Sequence, residues 1–183
     1  YPTFKALLEL PKAERHARLR DPAVRAQILG ETPEDLGNFG KYITTSFKKM
    51  FPTAEAVDYE PGPEDSIHAI AAREGRDPRD VAYDVLLRHD GDGMLYFPLF
   101  NYSDGNLELL RELHMHPRTR MGLSDAGAHC GAVCDGGMPT FMLTHWTRDR
   151  TRGERMPLEH VIRRQTRETA EMYGLLDRGA LLP

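Results

Sequence analysis

One carboxylate stands out for its surroundings. Asp125 follows the short apolar stretch Arg120-Met121-Gly122-Leu123-Ser124, inside the run Ser-Asp-Ala-Gly-Ala-His. A carboxylate placed directly after a buried strand sits at that strand's C-terminal edge. In barrels and open parallel sheets this edge carries the chemistry, because loops and helix N-termini converge there. The glycines that follow let backbone approach a ligand closely. The structural alternative is that Asp125 merely caps or turns the chain into the next element. His129, four residues on, is a candidate second polar group in the same pocket, orienting Asp125 or contacting substrate. One Asp and one His fall short of the three or four protein ligands that zinc takes.

Other chemistry-bearing residues carry weaker signals. Cys130 and Cys134 are four apart in a glycine-rich stretch, without the close pairing or histidine partners of a structural metal site. Lys41, Lys48, Lys49 and Arg73 would attract an acidic substrate if their segment covers a pocket; solvated side chains are the alternative. His114, His116 and Pro117 read as a link on the structural side of the Asp125 strand, and His145-Trp146 as packing at the end of an apolar helix. The glycine runs at 91–93 and 136–137 lack the Lys-Ser/Thr of a phosphate-binding loop. Neither a G-x-S-x-G elbow nor an H-E-x-x-H helix is present.

The elements that must position these groups follow from capping and periodicity. Asp21 caps a helix with Pro22 in its first turn and Gly30 at its end, burying Val24 and Ile28. Lys41 to Phe51 reads as a strand followed by an exposed loop. Ile67, Ile70 and Ala71 mark an amphipathic helix between Glu64 and Gly75. Asp77, Pro78 and Asp80 open another, with Val81, Val85 and Leu86 as its apolar stripe. After this the pattern becomes strand, helix, strand, helix. Met94 to Phe100 reads as one buried strand, Ser103 or Asp104 starts a helix carrying Leu107, Leu110 and Leu113, and 120–124 is the strand into Asp125. Pro139 to His145 opens an apolar helix, Pro157 another with Leu158, Val161 and Ile162 buried, and Gly174 closes the last helical turn. Such alternation predicts parallel strands with crossover helices, an α/β architecture.

Composition narrows the classes. The 183 residues are 40% hydrophobic and 28% charged, with 24 Lys plus Arg against 28 Asp plus Glu. A formal charge of −4 offers no electropositive face for nucleic acid. No apolar run approaches the roughly 20 residues needed to span a bilayer. Two cysteines point to a reducing cytoplasm rather than a disulfide scaffold. The first residues, Tyr-Pro-Thr-Phe-Lys-Ala-Leu-Leu-Glu, read as the inside of a longer chain, and so does the stop at Leu182-Pro183.

The segment HPRTRMGLSDAGAH, from His116 to His129, resembles the last barrel strand of the amidohydrolase superfamily, closest to its N-acyl-D-amino-acid deacylase branch. The resemblance continues through GMPTFMLTHWTRDR (Gly137 to Arg150), PLEHVIRRQT (Pro157 to Thr166) and ETAEMYGLLDRGALLP (Glu168 to Pro183). It implies the C-terminal fragment of a (β/α)8 TIM barrel: residues 93–183 as the last strand-helix units, and residues 1–92 as a mainly helical lid or insertion. It implies a zinc-dependent hydrolase of amide bonds in which Asp125 exchanges a proton with metal-activated water, as general base and then acid. Asp125 would be at most a weak or transient metal ligand, the remaining ligands lying upstream of Tyr1. Zinc is expected in the full-length enzyme and not tightly bound to these residues alone. The substrate class is a small N-acyl amino acid, or else a cyclic amide or carbamoyl compound. The Ala-Gly-Ala-His and Cys-Gly-Ala-Val-Cys runs after Asp125 depart from the branch's pattern and put the D-amino-acid preference in question. The competing reading is a non-catalytic structural or assembly domain, inactive by itself, able to form a homo-oligomer.

Overall fold

Asp77-Pro78 sets the helix around which the first half of the chain is built. The Asp77 carboxylate accepts from the Arg79 N–H at 2.8 Å, and Pro78 occupies the first helical position, where its missing N–H costs nothing. In the computed structural model, which describes residues 1–182 except Ala56, Leu123, Asp125 and 128–134, the chain divides into two compact units, Tyr1–Gly105 and Asn106–Pro183.

The first unit contains α1 (Pro2–Leu7), α2 (Lys12–Leu19), α3 (Pro22–Gly30), α4 (Gly37–Thr45), β1 (Phe51–Pro52), α5 (Ile67–Glu74), α6 (Pro78–Leu86), a short distorted turn α7 (Arg88–Gly91) and β2 (Leu95–Tyr96). Two apolar clusters hold it, and α6 serves both. Val81, Ala82 and Val85 pack with Met50, Ile67 and Ala71 of the first cluster. Tyr83 and Leu87 reach the second, built from Leu7, Leu19, Val24 and Ile28. The Tyr83 hydroxyl donates to the Leu19 carbonyl at 2.8 Å, so its polar end is satisfied where its ring is half-buried. α5 starts where Ser66 Oγ accepts from the Ala69 N–H at 3.2 Å, and ends at Gly75, whose φ of 65° is the left-handed conformation glycine adopts without strain.

The solvent edge of α6 carries an ion network. Arg25 of α3 lies 2.6 Å from Asp80 and 2.5 Å from Asp84, while Arg76 contacts Asp80 at 2.8 Å and also pairs with Asp84. Hydrogen bonding to Arg25, then to Arg76, holds the Asp80 carboxyl below its ordinary range. Burial acts to raise Asp84, and the same two arginines outweigh it. Asp80, expected in a capping box, is spent instead on joining α3 to α6.

The second unit contains α8 (Glu108–Met115), α9 (Met138–Thr144) running into a π turn (His145–Asp149), α10 (Leu158–Gln165) and α11 (Arg167–Met172). Its interior holds Leu107, Met142, Trp146, Met156 and Val161. The Arg150 guanidinium stacks over the Trp146 ring at 4.9 Å and donates to Glu108 Oε1 at 2.8 Å and to the Glu154 carbonyl at 2.7 Å. These partners explain how a charged side chain is wholly buried there.

The barrel expectation is corrected here. Among the described residues the sheet consists of β1 and β2 alone, antiparallel, with Phe51 opposite Tyr96 and Pro52 opposite Leu95. It neither closes nor contains a parallel pair, so the architecture is mostly helical and not an α/β TIM-barrel fragment. The Met94-to-Phe100 run yields only Leu95–Tyr96. Pro52 and Pro98 offer no N–H to a ladder, and Met94 and Phe100 are exposed rather than buried. Arg120, Met121, Gly122 and Ser124 lie outside any strand. The Thr119 carbonyl just before them accepts from Arg164 at 2.8 Å and from Arg120 at 2.7 Å, so side chains take the acceptor a ladder would use. The strand expected over Lys41 to Phe51 is α4, a 3-10 turn at Phe47–Lys49 and the start of β1. The helix expected from Ser103 or Asp104 begins at Glu108. Helices at 22–30, 67–74, 78–86, 138–144 and 158–165 agree with the caps and periodicity read from sequence. No helix among the described residues is long and apolar enough to cross a membrane.

Candidate functional site

Within the second unit, α10 is tied to the C-terminal end of α8 by two side chains one turn apart. His160 Nε2 lies 3.0 Å from the His114 carbonyl. Arg164 Nη2 donates to the His116 carbonyl at 2.6 Å and Nη1 to the Thr119 carbonyl at 2.8 Å. A guanidinium at the carbonyls just past the end of a helix complements both their lone pairs and the negative end of the helix dipole.

Behind Arg164 sits Glu168, 12% exposed, shared by three arginines. Arg164 Nη1 is 2.9 Å from Oε2, Arg163 Nε is 2.8 Å from Oε1, and Arg120 Nη1 is 3.5 Å from Oε2. The Oε2 approach is an ion contact without the alignment of a hydrogen bond. One carboxylate among three guanidiniums leaves this cluster with two positive charges in excess. A small cavity opens beside it, lined by Arg120, Arg164, His114 and His160 on the polar side and by Met121, Met142, Met156 and Val161 on the apolar side. Burial, with the charge of Arg164 and His160 adding to it, pushes the His114 imidazole below its ordinary value. His114 therefore faces Trp146 as a neutral ring, at 5.7 Å.

The outer side of these helices is apolar at intervals. Leu109 and Leu113 of α8, one turn apart, are exposed, as are Leu158 and Ile162 of α10. Leu158 and Ile162 were expected in the core; only Val161 of that trio is buried. Glu159 and Arg163, also one turn apart, run alongside this stripe and face solvent.

The residues singled out in the sequence are not gathered into a common site by the described structure. Asp125, His129, Cys130 and Cys134 lie outside the described residues. Lys41 and Lys48 are exposed on α4 and the turn after it. Lys49 is held in place: its ammonium donates to the Leu99 carbonyl at 3.1 Å and lies 5.8 Å from the Phe97 ring centre. Arg73 donates to the Glu64 carbonyl at 2.5 Å. Among the described residues no group of three or more His, Cys, Asp or Glu comes together to hold a metal ion. With no barrel and no such cluster, the described residues do not fit a zinc hydrolase centre, and the amidohydrolase assignment and the amide-hydrolysing activity inferred from it are withdrawn. Arg120, His160, Arg164 and Glu168 went unnoticed in the sequence. The available signal is the four-residue spacing of His160, Arg164 and Glu168, which puts His160 and Arg164 one turn apart on α10; Glu168 lies across the break at Thr166, in the first turn of α11.

No protein-family model, no curated protein and no solved structure matches the chain.

Proposed function

We propose that this chain is a structural, assembly-forming helical domain whose second unit pairs with a second copy of itself through α10. The observation that carries the reading is the exposed Leu158–Ile162 stripe flanked by Glu159 and Arg163. Two α10 helices packed antiparallel about a two-fold near Val161 set Leu158 of one copy against Ile162 of the other. The same operation sets Glu159 against Arg163 of the second copy, twice, because a two-fold interface repeats every contact. An apolar seam rimmed by opposite charges in this order is self-complementary, and burying the seam removes side chains that are half exposed in a single copy. The surfaces around it, Leu109 and Leu113 on α8 and Met172 and Tyr173 at the end of α11, supply further apolar area. The cysteine count supports a reducing, cytoplasmic setting for this role.

Sedimentation velocity of the 183-residue chain tests it, from about 1 to 100 micromolar, the range of a weak homodimer. A dimer is expected that Ile162→Glu and Arg163→Glu each dissociate with unchanged far-UV circular dichroism, while Arg163→Glu combined with Glu159→Arg restores it. A wild-type chain that stays monomeric across this range, or a dimer indifferent to the charge reversal, overturns the proposal.

A further inference from the structure

In the first unit, α4 forms without a core of its own. Of its nine residues, Gly37 to Thr45, only Lys41 is a strong helix former, and two are glycine. None of them is buried. A helix this short is marginal in water and is ordinarily stabilised by packing an apolar face on something else. Leu36 at its cap, Phe39 and Ile43 follow one another at helical spacing, with Tyr42 beside them. Leu36, Phe39 and Tyr42 are 59%, 60% and 42% exposed. Such a face calls for a surface to cover it.

Charge narrows what that surface is. The chain carries a net charge of −4, yet from Leu36 to Ala54 it has three lysines and neither Asp nor Glu. Lys41 and Lys48 are exposed. Lys49 ties α4 to the turn after β2, its ammonium donating to the Leu99 carbonyl at 3.1 Å and to the Tyr42 hydroxyl at 3.3 Å. Phe100, the next residue in that turn, is 73% exposed. A second copy packed on the same face about a two-fold would set lysine near lysine, with no acid in the segment to pair them. A peptide helix or strand needs a groove or a sheet edge to enter, whereas an element with no buried residue offers a ridge. A fluid anionic interface accepts a ridge. It takes Leu, Phe and Tyr into the boundary between headgroups and acyl chains and leaves lysine ammonium groups among the phosphates.

We propose that α4 and the turn after it are a docking surface for an anionic lipid bilayer, with Leu36, Phe39 and Tyr42 entering the interface and Lys41 and Lys48 drawn to acidic headgroups. Both contributions are needed: three apolar side chains give a small buried area, and a basic residue near an acidic leaflet adds roughly fivefold in affinity. Covering the apolar face also stabilises α4 as a helix, so binding and ordering of this segment are one event. The surface lies in the first unit and shares no residue with the α10 seam, so each stands or falls without the other.

The 183-residue chain is sedimented with sucrose-loaded vesicles of phosphatidylcholine alone, or of phosphatidylcholine with about 30% phosphatidylserine. Binding is expected only to the serine-containing vesicles. Reversing both exposed charges, Lys41→Glu with Lys48→Glu, is expected to weaken it by roughly 25-fold or more. Phe39→Ser is expected to weaken it roughly tenfold or more. All three positions are exposed, and unchanged circular dichroism confirms the fold of each variant. Hydrogen exchange at the α4 amides, read by mass spectrometry, is expected to slow roughly tenfold on the serine-containing vesicles while α6 is unaffected. The proposal is overturned by a chain that stays in the supernatant with both vesicles, by equal binding to both, or by variants that bind as the wild type does. It is overturned equally by soluble polyglutamate protecting α4 as well as vesicles do, which assigns the face to an acidic protein. Protection of α4 that rises with protein concentration without lipid assigns it to a second copy and also overturns the proposal.

Discussion

Replacing Ile67 by alanine tests whether the first unit rests on the packing of α5 against α6. Ile67 is wholly buried, among Met50, Ala71, Val81, Ala82 and Val85. The substitution deletes three carbons, a transfer loss of about 2.4 kcal/mol at roughly 0.8 kcal/mol per methylene. The helices are pinned by the Ser66 and Asp77 caps and by Arg25 and Arg76, so collapse around the void is incomplete and a cavity cost of 1 kcal/mol or more adds to it. A total of about 3–4 kcal/mol follows. Hydrogen exchange at the α5 and α6 amides, read by mass spectrometry, should then accelerate by about two to three orders of magnitude where exchange proceeds through opening of this core. Leu86→Ala is the control: Leu86 is on the same pair of helices but 46% exposed, and its loss should stay near 1 kcal/mol. If Ile67→Ala speeds exchange by less than tenfold, or no more than Leu86→Ala does, α5 is not the core element described here.

Two pH effects follow from the ionisable groups. Asp80 is held below its ordinary range by Arg25 and Arg76, so its contribution to stability is complete above the unfolded carboxyl value of about 4 and is lost as pH falls through the lower folded value. Urea midpoints measured by circular dichroism should therefore drop below about pH 4, and Asp80→Asn should be less stable at neutral pH and show a shallower acid slope; an unchanged slope refutes the linkage. His114 is pushed down by burial, so the unfolded chain takes up the proton first and stability falls as pH drops below the unfolded value of about 6.5. NMR titration of its ring protons should give a midpoint below the ordinary histidine value of about 6.5, and a midpoint at or above it would remove the neutral-ring description.

The helices at 22–30, 67–74 and 78–86 were legible because their ends are written in the sequence. Asp21-Pro22 and Asp77-Pro78 are starts that work through contacts two residues away, and Gly75 is a stop set by its own φ. Such signals need no knowledge of the rest of the chain. Buried positions were read less well. Val81 and Val85 fall where periodicity puts them, yet Leu86, Leu158 and Ile162 are exposed, because periodicity marks an apolar face without saying whether a neighbour covers it.

The strands failed for a different reason. A short apolar run such as Met94 to Phe100 satisfies a strand and a packed loop equally, and only a partner's ladder decides between them. The partner is Phe51–Pro52, forty residues upstream, ending in a residue that cannot donate. At 120–122 the competitor is Arg164, whose guanidinium takes the Thr119 and His116 carbonyls from more than forty residues away. This long-range capture also explains why the Arg120 cluster escaped notice. His160, Arg164 and Glu168 look in sequence like an ordinary charged helix face, and their meaning changes only when α8 ends against them. A charged residue one turn from another is then either a solvated pair or the lining of a buried site, and the difference lies in the element packed on top. Here that element is the end of α8, which draws Arg164 onto its carbonyls and leaves Glu168 shared by three arginines.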